Sequence, residues 1–115
     1  MLRGEIRLVD LDPARGSEAN KRRPAVIVSN DGANSAAVRL NRGVITVVPV
    51  TSNLSRVYPF QVLLPATDCG LAADSKAQAE QVRSVAIERV GRRLGQLTAP
   101  LLVELDEALR LHLAL

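Results

Sequence analysis

The chain of 115 residues and 12.4 kDa has the size of one domain, and its 47% hydrophobic and 23% charged residues are the balance of a globular chain rather than a disordered one. No apolar run approaches the roughly 20 residues of a membrane span, no signal-peptide core precedes the first strand-like pattern, and Cys69, the one cysteine, excludes an internal disulfide and a cysteine-built zinc site. The expectation is a single domain over residues 1–115, cytoplasmic and without membrane association.

Residues 4–11 (GEIRLVDL) predict a first strand ending at the turn signal Asp12-Pro13. Residues 13–23 are polar and read as a loop. Residues 24–29 (PAVIVS) are β-branched and almost wholly apolar, as suits a strand buried on both faces. Asn30–Asn34 reads as a turn. Residues 43–51 (GVITVVPVT) predict a second buried strand, with Pro49 marking an edge or a bulge because it offers no ladder donor. Residues 60–64 give a further strand, closed by Pro65, and residues 66–74 a loop that carries Cys69 as an inert, partly buried thiol. Residues 75–85 alternate weakly as a strand, and residues 94–97 form a short last one.

Residues 99–113 change period. Leu101, Leu105, Ala108 and Leu109 recur at helical spacing, and Leu102 and Leu113 widen the stripe. Thr98 suits the N-cap, Pro100 the first turn, and Arg110 and His112 the last. The pattern as a whole predicts a mainly β, α+β fold: five to seven antiparallel strands in a sheet or small barrel, closed by a C-terminal helix.

The net charge is only +3, but Lys21 and Lys76 are the only lysines among fifteen basic residues. Arginine's planar fork grips phosphate with two parallel hydrogen bonds. Between residues 13 and 60, seven bases face only Glu18 and Asp31, which favours an acidic or phosphate-bearing partner. Aromatics are 2% of the chain, Tyr58 and Phe60, too few for a surface of stacking rings.

No phosphate loop, dinucleotide fingerprint or HExxH motif occurs, and the single histidine, His112, reads as a helix-end group. The chemistry-bearing segments that remain are two. Gly16-Ser17-Glu18-Ala19-Asn20-Lys21-Arg22-Arg23-Pro24 runs a carboxylate and three successive cations straight into a buried strand. Thr51-Ser52-Asn53 stands at the end of another.

Together these segments resemble the MazF/PemK toxins, small endoribonucleases of toxin–antitoxin modules. The resemblance runs in order through Arg3-Gly4-Glu5-Ile6, Val9-Asp10-Leu11-Asp12-Pro13, Gly16-Ser17-Glu18, Arg23-Pro24-Ala25-Val26-Ile27-Val28, Val47-Val48-Pro49-Val50-Thr51-Ser52, Tyr58-Pro59-Phe60-Gln61-Val62 and Glu80-Gln81-Val82-Arg83-Ser84-Val85. It spans nearly the whole chain. Arg7 departs from it, standing where members usually carry an aromatic residue.

The resemblance implies an SH3-like β-barrel of the CcdB/MazF/PemK type and a homodimer. It implies sequence-specific, metal-independent cleavage of single-stranded RNA, whether mRNA, tRNA or rRNA, by attack of the ribose 2′-hydroxyl on the adjacent phosphorus. The products are a 2′,3′-cyclic phosphate and a 5′-hydroxyl, and translation and growth stop. Arg23 matches the catalytic arginine, suited to stabilising charge on the phosphate, and Thr51 the catalytic threonine. Glu18 is the residue whose type suits a base, and Ser17, Arg22, Ser52, Arg56 and Gln81 are candidates for RNA binding. No cofactor or metal is implied. The implied partner is an antitoxin with an acidic, flexible C-terminal segment, and DNA is reached only through the toxin–antitoxin complex. Two alternatives remain open: a CcdB-like, non-enzymatic poison of DNA gyrase on the same fold, and an inactive module retained for binding.

Overall fold

A computed structural model describes all residues, 1–115. The chain runs through β1 (Glu5–Asp10), β2 (Arg22–Ile27), α1 (Asp31–Leu40), β3 (Val44–Thr51), β4 (Gln61–Leu64), a single turn α2 (Ala66–Cys69), β5 (Ser75–Gln78), a 3₁₀ turn at Ala79–Gln81, β6 (Arg83–Ala86), a second 3₁₀ turn at Ile87–Arg89, β7 (Val90–Gln96) and α3 (Ala99–Leu113). The strands join in the order β4-β5-β3-β2-β1-β7, with β6 attached to β3, and every pairing is antiparallel. This is the mainly β architecture with a C-terminal helix that the sequence predicts. The sheet does not close, since β4 and β7 at its two ends do not pair.

β2 and β3 explain why their sequences read as unbroken apolar runs. Val26, Val48 and Val50 enter a core with Ile6, Leu64, Ala77, Leu97 and Leu105. Their neighbours Ala25, Ile27, Ile45 and Val47 enter a second core with Val9, Leu11, Ala37 and Val85. Both faces of these strands are therefore covered, which removes the polar alternation of a one-sided strand. α3 lies against β4 and the 79–81 turn, and it buries Leu105 and Ala108 while Leu101, Leu102 and Leu109 pack at the margin of the first core. The Thr98 side chain accepts from Leu101 N at its N-cap, as predicted. Leu113 falls outside the buried stripe and is half exposed.

Pro49 lies at neither an edge nor a bulge. β3 pairs with β6 through Val47 and with β5 from Val50 onward, so Val48 and Pro49 fall where the partner changes and no ladder donor is required. Pro49 is matched to Ala25 on the β2 side. The segment 75–85 is not one strand but β5, a turn and β6.

Two elements differ more from the prediction. Residues 31–40, of which 31–34 read as a turn, form α1. Asn30 caps it by accepting from Ala33 N at 2.8 Å, and Asn41, in the left-handed region at φ 50°, ends it. Asn34, fully buried, replaces an apolar anchor: its amide donates to Ser29 O at 2.8 Å and its carbonyl accepts from Ser29 Oγ at 2.5 Å. β7 begins at Val90, four residues before the predicted start. Its arginines and glycines hide the pattern, and it gains one extra residue against β1 on each side of the Arg7–Arg93 pair.

Candidate active site

The loop 11–21 is tied down before it delivers β2. Lys21 holds a left-handed φ of 63°, unusual for a residue with a Cβ. Its N–H donates to Asp12 Oδ1 at 2.9 Å and its carbonyl accepts from Leu11 N at 2.9 Å, which fixes the turn from both sides. Gln81 holds the same loop from across the sheet, accepting from Ala19 N at 3.0 Å and donating to Ser17 O at 3.0 Å. Gln81 and Ser17 thus meet through the loop's backbone.

Arg23, the second residue of β2, points its guanidinium at the loop it has just left. Its Nε donates to Asn20 O at 2.7 Å and one terminal nitrogen to Asn20 Oδ1 at 3.1 Å. The other terminal nitrogen reaches Thr51 Oγ1, at the end of β3, across 3.5 Å. A guanidinium carries five N–H donors. Three are engaged, so two remain for a ligand. Thr51 Oγ1 also accepts from Asn53 N at 3.2 Å, so both of its recorded bonds use lone pairs and its proton is unspent.

Arg23 and Thr51 lie at one side of an open cavity of about 280 Å³, lined also by Pro24, Val50, Ser52 and Ser75 and by Leu71–Ala73. No carboxylate is among the lining residues. The structure therefore brings Arg23, Thr51 and Ser52 together.

The other predicted residues stand apart from this cavity. Glu18 is exposed and its Oε1 accepts from Arg15 N at 3.1 Å, a contact within its own turn; no hydrogen bond joins it to Arg23 or Thr51. Arg22 is exposed opposite Asp10 on β1. Arg56 sits in the 52–60 loop and donates to Tyr58 Oη at 3.1 Å. Tyr58 and Phe60 stack on each other, with ring centres 5.3 Å apart, and His112 tilts against Phe60.

Three features were not singled out from the sequence. Asn20 orients the guanidinium. The 71–73 segment forms the far wall. Lys76, on β5 opposite Thr51, is buried, and its Nζ donates to the Arg56 carbonyl, holding the 52–60 loop against the sheet. Its strand, Ser75-Lys76-Ala77-Gln78, is polar in sequence, so nothing there marks the lysine as buried. Cys69 is more deeply buried than expected, and that burial, with the neighbouring Asp68, pushes its thiol up. No group of three or more His, Cys, Asp and Glu side chains gathers anywhere in the chain. No helix is long and apolar enough to cross a membrane.

The sequence over residues 2–113 matches the family described as PemK-like, MazF-like toxin of type II toxin-antitoxin system. The chain belongs to that family. It is 69% identical to the Mycobacterium tuberculosis endoribonuclease MazF9, over all of this chain and 98% of that protein. A crystal structure of MazF from Deinococcus radiodurans superimposes with a TM-score of 0.79 at 26% identity, covering all of this chain and 97% of the other. A MazE–MazF structure from the same organism gives 0.74 at 26% identity, covering all of this chain and 96% of the other.

Proposed function

We propose that this chain is the toxin of a type II toxin–antitoxin module and an endoribonuclease that cuts single-stranded RNA. Family membership and relatives named as endoribonucleases support that reading over the gyrase poison. The observation that carries the chemistry is the Arg23–Thr51 pair at the cavity, with two guanidinium donors and one hydroxyl proton free.

In the proposed reaction the ribose 2′-oxygen attacks the adjacent phosphorus while the bond to the 5′-oxygen of the next nucleotide breaks. The products are a 2′,3′-cyclic phosphate and a 5′-hydroxyl. Negative charge grows on the non-bridging oxygens, and donors already in place stabilise it without reorganisation. Arg23 supplies the charge-assisted pair and Thr51 a single neutral donor. The Arg23 guanidinium acts as a donor of hydrogen bonds and keeps its protons, so the leaving 5′-oxygen takes its proton from water to become the 5′-hydroxyl. Glu18 is assigned as acceptor of the 2′-hydroxyl proton, a role that requires it to release the Arg15 amide. The requirement for a 2′-hydroxyl restricts the reaction to RNA.

The partners assigned on this reading are single-stranded RNA, a second copy of the chain, and an antitoxin whose acidic segment lies over the Arg23 cavity in place of the phosphates. The deciding experiment is incubation of the purified protein with a long single-stranded RNA in EDTA, with the 5′ ends of the products mapped. Discrete cuts ending in 5′-hydroxyls are expected, and Arg23→Ala should slow them by about 10²–10³-fold. Intact RNA from a protein that still arrests growth would replace the ribonuclease with a non-nucleolytic poison.

A further inference from the structure

The cavity at Arg23 does not end at its far wall. Pro24, Leu71 and Ala72 line it, and the same three residues line a second open cavity of about 340 Å³ whose other boundary is Gly70, Leu94, Arg92 and Arg93. The two hollows adjoin along these three uncharged residues, which form the ridge between them. Arg23 stands on one side of the ridge and two arginines on the other. No acidic residue lines either part.

The arginines beyond the ridge are free to take an anion. Both are exposed, and neither belongs to any of the chain's three ion pairs, which are Arg3–Asp106, Arg7–Glu5 and Arg110–Glu107. Arg93 spends one donor on Gln96 Oε1 at 2.5 Å, and no side-chain hydrogen bond is recorded for Arg92. In a regular strand two successive side chains leave on opposite faces. Here β7 advances three residues, Arg93 to Val90, while β1 advances two, from Arg7 to Val9. The extra residue re-aims the side chains locally, and Arg92 and Arg93 border one cavity together.

The ridge is held in place. The backbone at Gly95 lies so close to the Cys69 carbonyl that a Cβ there would sit 1.8 Å from that oxygen. β7 and the turn leading to Leu71–Ala73 are therefore locked at contact distance, and the spacing between Arg23 and the Arg92–Arg93 pair is built into the fold.

We propose that Arg92 and Arg93 bind a second backbone phosphate of the RNA strand whose scissile phosphate lies at Arg23, with the intervening nucleotide crossing the Pro24–Leu71–Ala72 ridge. The inference rests on the ribonuclease reading and adds a subsite to it. The occupant follows from charge: a groove with three arginines and no acid favours a polyanion, and the uncharged ridge between the cationic ends accepts a sugar or base. The subsite contributes to binding, not to the bond-breaking step, because it lies a ridge away from the reacting atoms.

The test compares the wild-type protein with the Arg92→Ala/Arg93→Ala double variant on one cleavable RNA in EDTA, over a series of salt concentrations. KM should rise on the order of tenfold with kcat and cut position unchanged. The slope of log(kcat/KM) against log salt should become shallower by about 0.7, the share of one phosphate on a single strand. Arg92→Lys/Arg93→Lys should recover the slope, since charge is restored. Trimming the RNA from each end should reach a length at which the wild-type and double-variant proteins have the same KM; a merely structural effect would persist at every length. A double variant with wild-type KM and slope overturns the subsite and leaves the ribonuclease standing. A double variant that cleaves normally but no longer binds an acidic peptide also overturns it and gives the arginines to a protein partner. A wild-type protein that cleaves no RNA removes both readings.

Discussion

Arg7 and Glu5 lie two residues apart on β1, and the contacts between them explain how the strand tolerates a half-buried charge. The Arg7 guanidinium donates to Glu5 Oε1 at 3.1 and 3.0 Å and to Gly91 O at 3.2 Å. Glu5 Oε2 accepts from Leu2 N at 3.0 Å. The Glu5 side chain is only 10% exposed. Burial pushes its carboxyl up, but the Arg7 hydrogen bonds, the Leu2 amide and the Arg7 charge together hold it below its ordinary 4.5. A carboxyl depressed on folding stabilises the protein above its unfolded pKa and loses that contribution as pH falls through the folded value. Arg7→Ala leaves a buried carboxylate without its main partner and should cost about 1–3 kcal/mol at pH 7. The gap to wild type should shrink as pH falls through the depressed value of the folded wild-type carboxyl, where Glu5 takes up its proton in both proteins. Urea unfolding at pH 7 and pH 3.5 measures this; a gap that is constant with pH would mean that Arg7 acts by packing alone.

Among the secondary-structure elements, the meeting of α2 with β7 shapes the groove, and a glycine permits it. Gly95 lies against the Cys69 carbonyl, and Gly70, at φ 74°, turns the chain away from α2 toward Leu71. Gly95→Ala drives a Cβ into backbone that cannot rotate aside. It should cost about 3 kcal/mol or more, at the upper end for overpacking, and the displaced 70–73 turn should raise KM for RNA. Thermal melting with cleavage kinetics tests both, and a variant with wild-type stability would show that the two backbones separate easily. Little of this was legible in the sequence. β1, β2, β3 and α3 could be read because burial on two faces, or on one helical stripe, imposes a pattern. α1 could not, because its anchor is the polar Asn34 and its capping Asn30 and neighbouring Gly32 are also turn formers. The start of β7 could not, because extra residues against β1 break its alternation. In the site, Arg23 and Thr51 stood out as polar residues at the ends of buried strands, and only the family resemblance singled them out as a pair. That Glu18 turns back on Arg15, and that Asn20 orients Arg23, depend on loop geometry that no periodicity encodes.

On the scale of the whole molecule, the two cores behave as one body because they share strands. Leu105 anchors α3 in the first core and is fully buried. Ile45 is fully buried in the second. β3 supplies Val48 and Val50 to one and Ile45 and Val47 to the other, so loosening either core frees the backbone on which the other is built. Leu105→Ala and Ile45→Ala should each cost about 2–5 kcal/mol, the range for deleting a large buried aliphatic side chain. Each should lower the midpoint of the same single transition, with far-ultraviolet circular dichroism and calorimetry giving one midpoint per variant. A Leu105→Ala protein that melts in two steps, α3 and its core first, would mean that the cores are separable. Arg23 and Thr51 would then sit on a sheet that outlasts its helix, since β2 and β3 belong to both cores. One transition instead ties the site's geometry to the stability of the entire sheet, and a core variant far from the groove should lose cleavage only at temperatures where it also unfolds.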